Sequence, residues 1–528
     1  MSPTSPITSP TWLLALSPIL VVLILMVGRR WGGAKAGPVG WLAALVVAGL
    51  FFGAGPQLLF YSQIKSLLLS LYVLYIIWFA LALYHVVNEA GALEVISMGV
   101  ARLTADRTMQ LLILSWVFSS FLQGVTGFGV PIAVVAPLLI GLGFPAVTSV
   151  VATSVGHSWA VTFGSVASSF YAMMAVTGLD GPTLAPWSAL MLGIAAIPCG
   201  LAPAYLYRGW SSLRHSLPAV LVVGGVMAVV QYLMATNGLW NLASFIAGLV
   251  GLIVVAGLAR LRMYQGTPEE RAANHRRANN YTNPLSPPTA LSAYLVLLVL
   301  IVLAQLVPPI HALLNRVKIV VHFSQTQTAL GWVNPAGAGR TISVFGHAGA
   351  VLVYTCVLSY LIYRWLGCYK PGAPGRIVAD TIRGSVKSTL GIASLVGMAL
   401  FMADSGMTFT LAQGLSQTVG GAFPFIAPFI GALGAFMTGS NTNSNVVFAP
   451  LQLHAAEIIG LNAVVILGAQ NVGGAIGSMF APAKVIVGCS TAGLAGQEGE
   501  VLRLNLIYGL LIVGLAGVLT AGLIALGY

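Results

Sequence analysis

The chain is built of long apolar runs separated by short polar breaks. Apolar segments fall at 11–28, 38–54, 66–87, 108–142, 145–176, 187–206, 216–236 and 240–259, and resume at 289–309, 347–366, 386–403, 407–457, 461–487 and 502–527. Several approach or exceed the ~20 residues that carry a helix across a bilayer. The pattern predicts an all-α polytopic membrane protein with about 12 or more spans. The stretch 260–288 is charged, Pro-rich and without apolar periodicity, so it reads as a cytoplasmic linker between an N-terminal half (1–259) and a C-terminal half (289–528). A second polar stretch, 311–346, is expected outside; the pattern assigns it no structure.

One break is unusual. Between apolar flanks, GAFMTGSNTNSNVVFAPLQ places seven small polar residues in a row, Gly439 to Asn445. A weak internal repeat explains its position. FLQGVTGFGVPIAVVAPLL, beginning at Phe121, and FMTGSNTNSNVVFAPLQ, beginning at Phe436, share Phe-x-x-Gly, a small polar break and Ala-Pro-Leu. Each is followed by a second apolar segment interrupted at Val-Gly (Val155-Gly156, Val472-Gly473) and then Gly-Ser. Counting spans from an outside N-terminus, the first interrupted segment is entered from the cytoplasm and the second from outside. Such opposed repeats with discontinuous helices are an architecture of secondary transporters, with substrate bound near the midplane. Non-helical backbone at that depth is tolerated only where protein buries it or a wet cavity runs past it. Each half is therefore expected to hold a re-entrant hairpin (about 108–142 and 420–457) and a broken transmembrane helix (about 145–176 and 461–487), the two forming inverted-topology repeats.

Composition agrees. Of 528 residues, 58% are hydrophobic and 6% charged, with mean hydropathy +0.93; a soluble domain carries about 25% charged residues. The net charge of +12 does not point to nucleic acid, because 18 of the 23 basic residues fall in loops on one side of the counted topology, as the positive-inside rule requires. The leader MSPTSPITSP has no basic region, so the first apolar run is expected to be a retained span rather than a cleaved signal. Cys199, Cys356, Cys368 and Cys489 form no pair motif, and the histidines have no metal-ligand spacing. No metal or other cofactor is expected.

The breaks supply anion chemistry. Helix starts within them present free N–H groups and a favourable dipole; Gln123, Thr126, Ser158, Ser440, Asn441, Thr442, Asn443, Ser444, Asn445 and Asn471 add neutral hydrogen-bonding groups. Gly127, Gly129 and Gly473 allow close backbone approach, although small residues also serve helix packing in membranes. His157 lies within the first broken helix and Lys484 just past the second, in FAPAKV; both are ionisable and functional candidates by their cost, and Lys484 has the alternative of snorkelling to the cytoplasmic interface. Asp404 reads as an outer helix-end residue, and Glu89 and Glu94 as part of an amphipathic stretch. No paired acids, Cys/His set or nucleophile–base pair falls among the breaks, which speaks against an enzyme, and no nucleotide-binding loop suggests direct ATP drive.

At these motifs the sequence resembles the lactate permease family of bacterial lactate and glycolate carriers. The likeness is sharpest in GVTGFGVPIAVVAPLLIGLGF, FMTGSNTNSNVVFAPLQ and IGSMFAPAKVIVGCSTAGLAGQEGE. The resemblance implies secondary transport of a short 2-hydroxy monocarboxylate across the bacterial inner membrane, with protons as coupling ion; sodium is the alternative. Family members commonly carry Glu where this chain has Gln123 and Asp where it has Asn441. They have Asn at the position of His157 and a small polar residue at that of Lys484. All four departures make the site more positive. Either the coupling proton rides on His157, or the charge matches a dianionic hydroxy acid, sulfonated or dicarboxylate. The expected partners are a small organic anion, a coupling ion and the lipid bilayer, with a homodimer left open and no nucleic acid.

Overall fold

The computed structural model describes residues 9–29, 31–127, 129–271, 285–494 and 497–528. The start of the leader, Arg30, Phe128 of the first hairpin motif, and most of the linker with Arg276 and Arg277 lie outside the described residues. The described chain is helical with one exception, and its helices include 11 long and apolar enough to cross a membrane, or up to 12 if a bent pair counts as one.

The N-terminal part begins with Ser9–Leu23, continued as a wider turn over Ile24–Gly28, then Gly33–Leu50 and Pro56–Glu89. The last has 34 residues, about 51 Å at 1.5 Å per residue, and so overruns the ~30 Å hydrocarbon core. A first hairpin follows, with arms Arg107–Val125 and Val130–Gly141. Asp106 caps the first arm by accepting the Met109 N–H at 2.8 Å, and Arg107 donates to the Leu142 carbonyl at 2.9 Å. The two ends of the hairpin therefore lie side by side. The first broken helix comprises Ala146–Gly156 and Gly164–Thr177, bent by 52°.

Apolar segments 187–206 and 216–236 are one element, the 56-residue helix Gly181–Thr236, turned back at Arg208 and Gly209. Gly209 adopts φ 61°, ψ −142°, a conformation open essentially to glycine. Trp240–Leu258, Pro287–Leu306, Ala348–Trp365 and Ala373–Asp404 follow. Apolar segment 407–457 resolves into Met407–Val419, Phe423–Thr438 and Asn441–Ile459, the last two forming the second hairpin. The second broken helix is Ala463–Gly477 and Pro482–Thr491, and Glu498–Ala525 ends the chain's helices.

The stretch 311–346 holds the non-helical exception, which follows the short helix Pro308–Leu314. Three antiparallel ladders nest into one long β-hairpin: Lys318–Ile319 with Ile342–Ser343, His322–Phe323 with Gly337–Ala338, and Thr326–Gln327 with Val333–Asn334. Its tip is pinned down. Ala329 donates its N–H to the Gly53 carbonyl, Asn334 Nδ2 donates to the Asp404 carbonyl, and Trp332 packs on Phe409. At the opposite ends of Pro56–Glu89 and Ala373–Asp404, Arg376 pairs with Glu89 at 2.5 Å; elsewhere, His215 pairs with Asp106 at the start of the first hairpin at 2.9 Å. The contacts thus define two faces, one carrying the β-hairpin and one carrying most of the basic loops.

Candidate functional site

The polar run Gly439 to Asn445 is not a seven-residue break. Only Gly439 (φ 74°, ψ 8°) and Ser440 (φ −150°, ψ 127°) leave the helix; Asn441 to Asn445 are the opening turns of Asn441–Ile459. Ser440 Oγ accepts the Asn443 N–H at 3.4 Å, a cap that starts the helix at once. Asparagines resist helix formation when their side chains compete for backbone groups. Here the NH2 groups of Asn441 and Asn445 are taken up by neighbouring helices.

Those partners form a buried lattice. Asn445 Nδ2 donates to Asn471 Oδ1 at 2.8 Å and to the Ser169 carbonyl at 3.0 Å. Asn471 Nδ2 donates to Ser188 Oγ at 2.8 Å. Gln470 Nε2 donates to Ser444 Oγ at 3.0 Å and Asn445 Oδ1 at 3.3 Å, while its Oε1 accepts from Gln452 at 2.5 Å. Thr442 and Ser169 hydroxyls meet at 3.0 Å. Asn441 Nδ2 donates to Thr162 Oγ1 at 2.9 Å, and Thr162 donates on to the Asn471 carbonyl at 3.2 Å. The second hairpin is thereby tied to both broken helices.

Both helix breaks overlap the stretches expected from the sequence but extend further along the chain. The first, expected at Ser154 to Trp159, runs from His157 through a short 3-10 turn to Phe163 and then into Ser165, Val166 and Ala167, all left-handed (φ 49°, 55° and 60°). The second, expected at Gln470 to Ser478 about Val472-Gly473, falls at the end of that range and beyond it, Ser478 to Ala481, because Ala463–Gly477 is continuous helix. Gly473 is a packing residue: a Cβ there would overlap the Pro428 carbonyl, as Cβ atoms at Gly124 and Gly156 would overlap Phe245 and Ser115 backbone. Gly127 and Gly129, at the first hairpin's tip, have positive φ (69° and 85°) and turn the chain. Ser165 lies against Gly127 and donates to the Thr126 carbonyl at 3.4 Å. Ser158 bonds locally to the Val155 carbonyl at 2.7 Å and faces Cys199, apart from the lattice.

His157 is buried, and its Nδ1 lies 2.6 Å from the Thr153 carbonyl. Only a protonated Nδ1 can make that bond, so in the neutral ring Nε2 carries the lone pair. Lys484 is half-buried, and its Nζ donates to Ser478 Oγ at 2.9 Å, at the second break, within electrostatic reach of His157. Among the described residues no Asp or Glu side chain is buried. The lattice also leaves acceptors over: Gln123 Oε1, Asn441 Oδ1 and Asn443 Oδ1 are buried without a partner. A cavity of about 820 Å³ lies against the second hairpin's tip at Met437, Thr438 and Gly439, bounded by Trp31, Gly32, Pro482, Val485 and Glu498 on the basic face.

Sequence reasoning missed Thr162, Ser165, Ser169, Ser188, Gln452 and most of the part played by Gln470. The first three follow the predicted break by a few residues and were legible as small polar residues in an apolar run; Ser188 and Gln452 carry no local signal.

A polytopic helical bundle with two hairpins, two broken helices and a buried polar lattice between them defines a membrane transport protein rather than an enzyme. The comparisons agree. A family model described as L-lactate permease matches residues 11–527, and the chain belongs to that family. It is 27% identical to an L-lactate permease of Salmonella typhimurium, over 96% of this chain and 95% of that one. It is 28% identical to an L-lactate permease of Bacillus subtilis, over 96% and 95%, and 25% identical to the glycolate permease GlcA of Escherichia coli, over 96% and 94%. Among solved structures, the Alcanivorax borkumensis YdaH transporter aligns over 99% of both chains at 15% identity and TM-score 0.46, too loose a likeness to carry an argument. Family and spans together make this a multi-pass protein of the bacterial inner membrane.

Proposed function

We propose that the chain is a secondary carrier of a small 2-hydroxy monocarboxylate such as lactate or glycolate, coupled to protons and working by alternating access. The observation that carries this is the composition of the site: one half-buried ammonium, one buried imidazole, unpaired amide oxygens and no buried carboxylate among the described residues. A 2-hydroxy acid needs a cation for its carboxylate and an acceptor for its hydroxyl. Lys484 and Ser478 answer the first need; Gln123 Oε1 and Asn441 Oδ1 answer the second. Drawing a lysine out of water without a counter-charge is costly, and an anionic substrate offsets that cost. His157 is the titratable group left to carry the proton, through Nε2. The two hairpin-plus-broken-helix units are the inverted repeats of this reading, and the cavity beside Gly439 is the cytoplasmic approach.

A second reading rests on the same leftover oxygens. Hard carbonyl oxygens also suit a small cation, so sodium is the alternative coupling ion. The Lys484–His157 pair likewise fits a substrate with a second negative group.

Uptake of labelled L-lactate into proteoliposomes, driven by an inward proton gradient without sodium and competed by mono- and dianionic hydroxy acids, tests all three. Gradient-dependent uptake competed by glycolate supports the leading reading. A sodium requirement, or competition only by dianions, replaces it.

A further inference from the structure

The long β-hairpin carries a cation inward. Its register slips once: Ile319 pairs with Ile342 and His322 with Ala338, so two residues on the outgoing strand, Val320 and Val321, oppose three on the return strand, Gly339, Arg340 and Thr341. Such a bulge re-aims the side chain at its centre. Arg340 is that residue, and its guanidinium lies 4.1 Å over the Tyr72 ring. His347 packs edge-on against the same ring with centroids 4.5 Å apart, and stacks on Tyr75 at 5.2 Å.

Two donors there are left over. His347 Nδ1 accepts the Gly349 N–H at 3.1 Å, capping Ala348–Trp365. That fixes the neutral ring's proton on Nε2, and this Nε2 is buried without a partner, on a side chain of 6% exposure. Arg340 Nε is likewise buried and unpartnered, and among the described residues no carboxylate lies within ion-pair distance of Arg340. Buried unpaired donors are costly; these two, one of them on the guanidinium itself, form a site that lacks only an anion.

The place is as telling as the chemistry. Tyr72 touches Tyr171 with centroids 6.1 Å apart. Tyr171 lies two residues beyond Ser169, which bonds Thr442 and Asn445. Val446, next to Asn445, packs in the same apolar cluster as Tyr72. The Arg340–His347 pair thus adjoins the amide lattice on the face that bears the β-hairpin, opposite the basic loops.

We propose that Arg340, His347 and Tyr72 form a second, outer binding site for a small carboxylate, from which substrate passes to the lattice. The passage rests on the carrier reading above; the binding does not.

Sealed cells expressing wild type, Arg340→Gln, Arg340→Lys or His347→Asn would be compared for uptake and for efflux of labelled L-lactate. Asn at 347 keeps an acceptor for Gly349 and removes the ring N–H. The expected result is an uptake KM raised about tenfold by Arg340→Gln and His347→Asn, as for one lost hydrogen bond to a charged group. Arg340→Lys should lose less, and the half-saturation of efflux should move less than that of uptake. Equal losses in both directions together with a lowered Tm would mean a structural role and would overturn the proposal. Binding is read separately, as stabilisation of purified Lys484→Ser protein by L-lactate against equal sodium chloride. A lactate-specific shift that disappears on adding Arg340→Gln supports the outer site even in a chain that transports no lactate. Its absence, or an equal shift by chloride, overturns it.

Discussion

Asn441 in the second hairpin donates to Thr162 in the first broken helix at 2.9 Å, across 279 residues of chain. Thr162 passes the bond on to the Asn471 carbonyl in the second broken helix. One hydroxyl therefore joins three discontinuous elements, and it leaves Asn441 Oδ1 free.

Thr162→Val keeps the shape and removes that hydroxyl. It strands a buried Asn441 N–H and frees the Asn471 carbonyl, at a cost of about 1–3 kcal/mol per stranded group. The expected outcome is a lower Tm in detergent and uptake reduced about tenfold or more. Thr162→Ser, which retains the hydroxyl, should keep most of both.

His157→Asn and Lys484→Ser separate coupling from binding. On the proposed function, His157→Asn abolishes gradient-driven accumulation while lactate counterflow persists. Lys484→Ser instead raises KM in both assays. Counterflow and accumulation lost together in His157→Asn, with the fold intact, would remove the proton role.

Gly473 and Gly474 are adjacent yet should respond differently to alanine. At Gly473 a Cβ would overlap the Pro428 backbone, which cannot yield; at Gly474 it would meet Asn441 Oδ1, the end of a side chain. Gly473→Ala is expected to lower Tm and expression sharply. Gly474→Ala should fold but weaken substrate binding, read as a raised KM. Gly257, with nothing within 4 Å of its Cβ position, serves as the tolerated control.

The left-handed run at Ser165, Val166 and Ala167 stores strain of about 1–3 kcal/mol per residue. Ala167→Gly should therefore cost little, because relief at φ 60° offsets the lost methyl. Ala152→Gly, buried in the regular first half of the same broken helix, should cost about 1 kcal/mol. Thermal unfolding of the two variants gives the comparison; equal destabilisation would mean the run is not strained.

What the sequence determined is what depends on local composition and period. Apolar runs of spanning length, few charges and basic residues gathered in alternate loops specify a polytopic helical protein, because the bilayer leaves the backbone no other choice. Gly439 and Ser440 were legible as a turn. The apolar run at 108–142 corresponds to the two arms Arg107–Val125 and Val130–Gly141. What only the tertiary structure decided is where each helix breaks and which polar groups meet. Val472-Gly473 looks like a break, but the glycine is there so that Pro428 can approach. The asparagines after Ser440 look like loop, yet Thr162 takes the amide of Asn441, Ser169, Asn471 and Gln470 take that of Asn445, and the backbone stays helical. The stretch 311–346 has no periodic signal because its strands are two residues long and gain their order by lying on Gly53, Phe409 and Tyr72. Partners brought together across hundreds of residues leave no trace in local pattern, and the hydrogen bonds that define this site are of that kind.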